Sequence, residues 1–274
     1  MGWLRIWKRK RLLARHSLDD KMWRRVSARL PFLAGLSEEE IRRLKEMAIV
    51  FLAEKQLSPV RGALLSEDDR LSIALQACLP VLELGIEWYD GWTEVIVYPS
   101  QFAPEREIVD EDGIVHLTQD PMAGEAWLGG PVVLSYEDVA MTGDEAARVA
   151  GYNVVIHEFA HKLDMRHGEP NGFPPLHAGM SSVAWRKAFT GAYEDFCQLV
   201  DEADALAERD DGEALDTLPI DPYGAESPGE FFAVVSEAFF ETPELLEPTY
   251  PAVYEQLRLF YRQDPLARLG AAGG

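Results

Sequence analysis

The chain has 274 residues, of which 47% are hydrophobic, and this predicts a globular fold with a sizeable core. Residues 1–30 hold ten Lys and Arg against Asp19 and Asp20, which leaves 16 basic and 45 acidic side chains in residues 31–274, a net charge of −29. Such an acidic body disfavours contact with nucleic acid phosphates. We therefore expect no direct nucleic acid partner.

The sequence indicates neither a membrane-spanning helix nor a disulfide framework. The most apolar stretch, residues 71–88, is interrupted by Pro80 and by polar and charged side chains, whereas a spanning helix needs ~20 largely apolar residues. Cys78 and Cys197 lie far apart, which gives neither a disulfide framework nor a Cys-based zinc site. These features together predict a cytoplasmic protein.

Residues 1–30 form a basic segment with two interpretations. We favour a partly ordered basic tail. The alternative is an amphipathic anchor on a membrane surface, because apolar residues stand beside the first cations. A secretory signal is not indicated, since the cations follow the apolar residues instead of preceding them. The apolar residues are Trp3, Leu4, Ile6 and Trp7, and the cations are Lys8, Arg9, Lys10 and Arg11.

Residues 31–274 are predicted to form a single domain, with a helical first part over about 31–90 and a second part over about 91–270. Ser37 and Glu40 form a capping box that predicts an early helix. Residues 71–89 read as two helical pieces divided at Pro80. Val and Ile are concentrated in residues 93–98 and 131–136, which predicts two strands of a small sheet.

The second half of the chain is predicted to be mainly helical. Thr142 and Glu145 form another capping box, which predicts a helix running to about Met165. The acidic residues 201–212 are expected to form a solvated helix or loop without a function. Pro228, directly after Ser227, predicts the first turn of a further helix.

A His-Glu-x-x-His motif lies inside the helix expected to end near Met165. At about 100° per residue, His157, Glu158 and His161 share one face, while the apolar residues around them share the opposite face. Two imidazoles four residues apart can reach one metal ion, and the intervening Glu can hold a water molecule activated by that ion. The motif therefore predicts a water-activating zinc site.

A catalytic zinc ion needs a third protein ligand, and the residues leave two candidates open. His167 gives a pattern close to that of the metzincins, but Asp164 occupies the position where that pattern has a Gly. Glu230 lies on a later helix, as in the gluzincins, although it also fits a capping box with Ser227. Glu237 shares its face and could be a ligand, a support for a ligand or a plain exposed acid. Asp164 either orients an imidazole or is a solvated acid near the helix end.

Beyond the motif, the chain resembles the Mlc titration factor A family of zinc metallopeptidases, whose catalytic fold is related to that of anthrax lethal factor. The resemblance runs from about residue 30 to about residue 269. It depends on Cys78-Leu79-Pro80-Val81-Leu82, Gly124-Glu125-Ala126-Trp127, Gly130-Pro131-Val132-Val133-Leu134-Ser135, Ile156-His157-Glu158-Phe159-Ala160-His161-Lys162-Leu163-Asp164, Tyr223, Ser227-Pro228, Glu230 and Phe260-Tyr261-Arg262-Gln263-Asp264-Pro265.

This resemblance implies an α+β fold, mainly helical and of the gluzincin type of zincins, with a small sheet beside the motif helix. It also implies that His157, His161 and Glu230 bind Zn²⁺, that Glu158 is the general base and that Tyr223 assists at the oxyanion. The implied function is an aminopeptidase-like hydrolysis of short peptides. The alternative is a regulatory protein that sequesters an Mlc-like transcriptional repressor.

Two details stay open at the level of the sequence. Thermolysin-type gluzincins have an acid four residues after the ligand Glu, but that position here is Val234, so the ligands need support from elsewhere. Residues 131–136 either bind an extended peptide by edge pairing or form an interior strand.

Overall fold

The structure is a computed structural model that describes residues 2–103, 106–109, 115–118, 122–143, 151–207 and 218–272. Residues 2–90 are largely helical, as the sequence predicts for the part from about 31 to 90. Its helices are α1 (Gly2–Leu13), α2 (Asp20–Ser27), α3 (Glu38–Glu54) and α4 (Glu67–Cys78), with short 3-10 helices at Pro31–Leu33 and Ile86–Tyr89.

The start of α3 confirms the first predicted capping box. The Ser37 hydroxyl accepts a hydrogen bond from the Glu40 N–H, and the Glu40 carboxylate accepts one from the Ser37 N–H. Helix α4 ends before Pro80, as expected, because proline cannot donate the hydrogen bond that would continue it. The second helical piece expected in residues 71–89 is only the 3-10 turn Ile86–Tyr89.

A small mixed sheet forms the second layer. The strands are β1 (Gln56–Pro59), β2 (Glu94–Tyr98), β3 (Arg106–Val109), β4 (Val115–Thr118), β5 (Gly124–Ala126) and β6 (Val132–Ser135). Strands β1 and β2 are parallel, β2 and β6 are parallel, and β5 pairs antiparallel with β6, so that the order is β1-β2-β6-β5. A separate antiparallel pair is formed by β3 and β4.

Both predicted strands are present. Of the two interpretations of residues 131–136, the interior strand is confirmed, and binding of a peptide by edge pairing is wrong. Strand β6 lies between β2 and β5, and all four of its residues are buried. Its backbone groups are therefore already used on both sides. Within the described part of the chain, the edge of the sheet on this side is β5.

The motif helix is shorter than the sequence predicts. Helix α5 (Tyr136–Met141) has Thr142 as its C-terminal cap, and Glu145, the other member of the predicted capping box, lies outside the described residues. The motif helix is α6 (Val154–Asp164), followed by a 3-10 turn at Met165–His167. Asn153 caps α6 by accepting a hydrogen bond from the Ile156 N–H at 2.9 Å.

Helices make up the rest of the described chain. The acidic residues 201–207 extend a long helix, as expected, whereas residues 208–212 lie outside the described part. Pro228 occupies the first turn of its helix, as predicted. These helices are α7 (Ser182–Ala207), α8 (Pro228–Glu241), α9 (Pro243–Thr249), α10 (Pro251–Tyr261) and α11 (Pro265–Ala272), with a 3-10 turn at Pro222–Ala225. The fold is thus mainly helical with one small mixed sheet, an α+β arrangement.

The core fixes α6 between the sheet and α8. On the apolar face of α6, Phe159 is fully buried, and its ring centroid lies 5.6 Å from that of Phe51 and 5.1 Å from that of Tyr89. Across α6 lies α8, in which Phe232 and Phe239 are fully buried. This packing holds the polar face of α6 toward the first turns of α8.

The basic first segment is more ordered than the favoured tail interpretation predicts. Helix α1 is held to α3 because the Arg9 guanidinium donates two hydrogen bonds of 2.7 Å to the Glu54 carboxylate. Across the described helices, none combines the length and apolarity that crossing a bilayer requires.

Candidate metal centre

Helices α6 and α8 bring three donor side chains to one point. The His157 and His161 Nε2 atoms lie 3.1 Å apart, and the Glu230 Oε2 atom lies 3.0 Å from the first and 3.1 Å from the second. Glu230 can make this contact because Ser227 caps α8 through the Glu230 N–H alone, at 3.1 Å, and leaves the carboxylate free to point at the imidazoles.

The structure separates the two candidates for the third donor. Glu230 belongs to the group with His157 and His161 whose ligand atoms all lie within 4.8 Å of one another. His167 lies in the 3-10 turn after α6, is exposed, and does not belong to that group. The helix geometry explains this, because α6 continues to Asp164 and carries the chain away before His167 is reached.

Glu237 lies two helical turns after Glu230 on α8 and supports the His157 imidazole. Its Oε1 atom lies 2.7 Å from His157 Nδ1, and its Oε2 atom accepts a hydrogen bond from the Asn153 N–H. Because an ionised carboxylate only accepts, Nδ1 donates to Glu237, and Nε2 is the ring nitrogen that remains to face the donor group. Glu237 is thus neither a direct donor nor an exposed acid: it is buried behind His157.

Asp164 holds a loop and not an imidazole. Its carboxylate is buried and accepts hydrogen bonds from the N–H groups of Asn171 and Gly172, both at 2.7 Å, and from that of Phe173 at 2.9 Å. Neither of its sequence-based interpretations is therefore right. In the same described region, the buried His161 Nδ1 atom has no hydrogen-bond partner.

The loop held by Asp164 reaches the start of α8. Gly172 has φ +76°, and a Cβ atom there would come within 2.6 Å of the Pro228 carbonyl oxygen. Gly229 also lies close to Pro170, since a Cβ atom there would lie 3.2 Å from it. The helix that carries the imidazoles is thereby connected to the first turn of the helix that carries Glu230.

Glu158 lies beside the three donors and against the edge strand β5. Only 4% of it is exposed, and burial raises the pKa of its carboxyl group to about 7 against the opposing effect of the two imidazoles. Its Oε2 atom has no hydrogen-bond partner among the described residues. Gly124 leaves the space that the carboxylate needs, because a Cβ atom on Gly124 would lie 2.4 Å from Glu158 Oε1.

Charges around the donors shift their protonation. Burial alone would raise the pKa of Glu230, but its hydrogen bonds with His157 and His161 outweigh burial and hold that pKa well below its usual range. Burial likewise opposes a charge on His157, but Glu237 and Glu230 raise its pKa. The group therefore strongly favours a net positive charge at its centre, whether a proton or a cation.

Tyr223 stands at the open side of the group. It lies in the 3-10 turn before α8, its ring centroid is 6.0 Å from that of His157, and 45% of the residue is exposed. Its backbone is fixed by Asp221, whose carboxylate accepts a hydrogen bond from the Tyr223 N–H at 2.9 Å. The tyrosine is therefore within reach of a molecule that enters beside His157.

Lys162, directly after His161, attaches the turn that follows β5 to α6. Its ammonium group donates hydrogen bonds to the carbonyl oxygens of Trp127 at 2.6 Å and Gly130 at 2.8 Å. Four residues earlier, Glu158 contacts Gly124 at the start of the same strand. One turn of α6 thus fixes both ends of the edge strand beside the donors.

The donor set suits a divalent transition-metal ion. Two ligands that each lie ~2.0–2.1 Å from one tetrahedral ion are about 3.3 Å apart, close to the separations of 3.0–3.1 Å between these nitrogen and oxygen atoms. Two imidazoles and one carboxylate leave a fourth position open, which is the composition of a catalytic rather than a structural site.

Comparison with known proteins identifies the family. Residues 4–262 match the family described as glucose-regulated metallopeptidase M90. The chain is 42% identical over 246 residues to Mlc titration factor A of Yersinia enterocolitica, covering 89% of this chain and 86% of the relative. It is 40% identical over 240 residues to Mlc titration factor A of Cronobacter sakazakii, covering 88% and 85%. The chain therefore belongs to the M90 metallopeptidase family, which implies a bound metal ion.

Three contributors to the site were missed or left undecided by sequence reasoning. The support from Glu237 was detectable only as a residue that shares a helical face with Glu230. Gly124 and Lys162 occur in the segments that carry the family resemblance, but their contacts depend on how the sheet lies against α6, which no local pattern reveals.

Proposed function

We propose that the protein is a zinc-dependent peptidase of the gluzincin type, with His157, His161 and Glu230 as the metal ligands. The observation that carries this proposal is the group of three donor atoms 3.0–3.1 Å apart with the Glu158 carboxylate beside it. Zinc is the ion that this combination of nitrogen and oxygen donors most often holds in metallopeptidases. When bound, it supplies Lewis-acid polarisation of a water molecule and of the scissile carbonyl.

Glu158 performs the proton transfers in this proposal. It accepts a proton from the attacking water and delivers it to the leaving amine, so that its carboxyl group ends each cycle unprotonated. A buried carboxyl group has the basicity for both transfers near neutral pH, because desolvation raises its pKa. Tyr223 donates a hydrogen bond to the developing oxyanion, an interaction worth about 2.7–4 kcal/mol in comparable sites.

A peptide substrate is expected to lie along β5. This three-residue strand is one of the two edge strands of the sheet within the described chain, and Gly124 at its start lies against Glu158. An extended peptide paired with β5 would place a backbone carbonyl next to the donors. Short peptides and an aminopeptidase-like preference follow from the family resemblance. The two free thiols, Cys78 and Cys197, suit a reducing compartment, and we place the protein in the cytoplasm.

The proposal is tested with the substitution Glu158→Gln, which keeps the volume of the side chain and removes its basicity. The variant should bind zinc as the parent does and lose peptide hydrolysis by at least about a hundredfold. Glu244→Gln, at an exposed position on α9, is the matched control and should retain full activity. Undiminished hydrolysis by Glu158→Gln would show that another group activates the water.

A second function is favoured by the names of the relatives, which are titration factors for Mlc. In this proposal the protein binds and sequesters an Mlc-like transcriptional repressor, with or without peptidase activity. Glu158→Gln should then bind the repressor as tightly as the parent does. A purified Mlc-type repressor that binds neither protein in a titration would remove this candidate.

A further inference from the structure

Helix α1 lies on the acidic body in one defined orientation. Arg5 forms an ion pair with Asp90, and Arg9 bonds to Glu54 at 2.7 Å and to Asp90 at 3.1 Å. On a helical wheel these two arginines share a face with Leu12 and Leu13, and Arg9, Leu12 and Leu13 are half-buried. The opposite face of α1 must therefore point to solvent.

This outward face combines large apolar side chains with cations. Trp3, Leu4, Ile6 and Trp7 are 76%, 61%, 53% and 47% exposed. The exposed cations Lys8, Lys10 and Arg11 flank them and make no ion pair within the described residues. The Arg11 guanidinium lies 5.3 Å from the Trp7 ring centroid.

We propose that the outward face of α1 binds an anionic lipid surface, with the helix axis parallel to the bilayer and the two indoles in the headgroup region. Indoles favour this interface because an apolar ring enters the acyl boundary while the N–H stays hydrated. The three unpaired cations attract the lipid phosphates. The arginines that hold α1 to the body occupy the other face and do not compete with this contact.

Two features favour a lipid surface over a macromolecular partner. The outward face is a convex helix with projecting side chains, and a lipid interface receives such side chains without a matching groove. Residues 31–274 carry a net charge of −29 and repel anionic surfaces, so an anionic membrane is attracted to the basic residues 1–30, which include α1. Binding through α1 alone would turn the acidic body, with its metal centre, away from the membrane.

The test is cosedimentation of the full chain with vesicles. Vesicles of phosphatidylcholine mixed with phosphatidylglycerol should bind the protein, pure phosphatidylcholine vesicles should bind it at least about tenfold more weakly, and salt should release it. Replacing Lys8, Lys10 and Arg11 by Gln should weaken binding about a hundredfold, at about fivefold for each charge. The double variant Trp3→Ser with Trp7→Ser should also lose binding.

The matched control is Trp127→Ser, because that indole is 52% exposed on a different surface. It should bind the mixed vesicles as the parent does, and circular dichroism should show that every variant keeps its helices. The proposal is overturned if the parent protein does not bind the mixed vesicles, or if the double tryptophan variant binds them as well as the control does. Capture by soluble polyglutamate without vesicle binding would also overturn it, by assigning the face to an acidic polypeptide.

Discussion

The Glu237 carboxylate lies 2.7 Å from His157 Nδ1, on the side of the ring away from the other two donors. Glu237 also accepts a hydrogen bond from the N–H of Asn153, the residue that caps α6. A single carboxylate on α8 therefore fixes both the imidazole and the start of the helix that carries it. Thermolysin-type gluzincins place their supporting acid four residues after the ligand Glu; here the acid follows Glu230 by seven.

Glu237→Gln should weaken zinc binding by about 10–100-fold, because a neutral amide orients and polarises the His157 ring less strongly than a carboxylate does. A competition titration with a zinc-binding dye measures the change. Glu244→Gln, on the exposed side of α9, should leave the affinity unchanged. Equal affinities for the two variants would mean that Glu237 only packs behind the ring.

Glu230→Ala should abolish stoichiometric zinc binding, whereas His167→Ala should retain it. The Glu230 carboxylate oxygen lies 3.0–3.1 Å from both imidazole nitrogens, while His167 is exposed and outside the donor group. Elemental analysis of the two purified variants decides between these residues. Zinc lost from His167→Ala and kept by Glu230→Ala would reverse the assignment.

Gly124→Ala should impair peptide hydrolysis, although it adds only one methyl group. The added Cβ atom would lie 2.4 Å from Glu158 Oε1, so either the edge strand or the Glu158 carboxylate must move, at a cost of about 1–3 kcal/mol. Denaturant unfolding and peptide turnover measure the two consequences. The control is Gly191→Ala in α7, where a Cβ atom has nothing within 4 Å and should stabilise the helix by about 0.5–1 kcal/mol.

The buried ammonium group of Lys55 should make the stability of the fold depend on pH. Its ammonium group donates hydrogen bonds of 2.5 Å to the carbonyl oxygens of Tyr89 and Trp92, and burial lowers its pKa to about 8 from the ordinary value of 10.5. The unfolded chain therefore keeps its proton to higher pH than the folded chain does. Deprotonation above about pH 8 relieves the cost of burying the charge, so folded-state stability rises as pH increases.

The measurement compares the parent with Lys55→Met, in which this titration is absent. The stability difference in favour of the parent should grow by about 1 kcal/mol between about pH 7 and about pH 9. Chemical denaturation at the two pH values gives this difference. A constant difference would mean that the two carbonyl contacts keep the pKa of Lys55 near its usual range.

Local chemistry determined what the sequence could predict. The Ser37 capping box and Pro228 set helix starts through contacts within a few residues, and both are present in the structure. The prediction for the start of the motif helix was wrong, because the Thr142 box suggested one helix running to Met165, whereas the motif helix begins later in the chain. The actual start at Val154 depends on Asn153, whose side-chain amide donates to Glu241, a partner 88 positions away.

The distinction between local and long-range contacts also applies to the metal centre. The spacing of His157 and His161 within one helix was sufficient to predict their shared face. The choice between His167 and Glu230 was not local, and the family resemblance favoured the residue that the structure brings to the imidazoles. Neither the helical spacing nor the family resemblance predicted that Asp164 binds backbone N–H groups of a loop. This contact depends on the path of the chain seven to nine residues later.

The loop of residues 171–173 has a consequence for removing and exchanging the metal ion. Asp164 holds residues 171–173, and Gly172 in turn contacts Pro228 in the first turn of α8, so protein contacts connect the two helices beside the donor group. Stripping the ion with a chelator should leave a cleft of unchanged shape. Cobalt or manganese could then be exchanged into the folded protein without a cycle of denaturation and refolding.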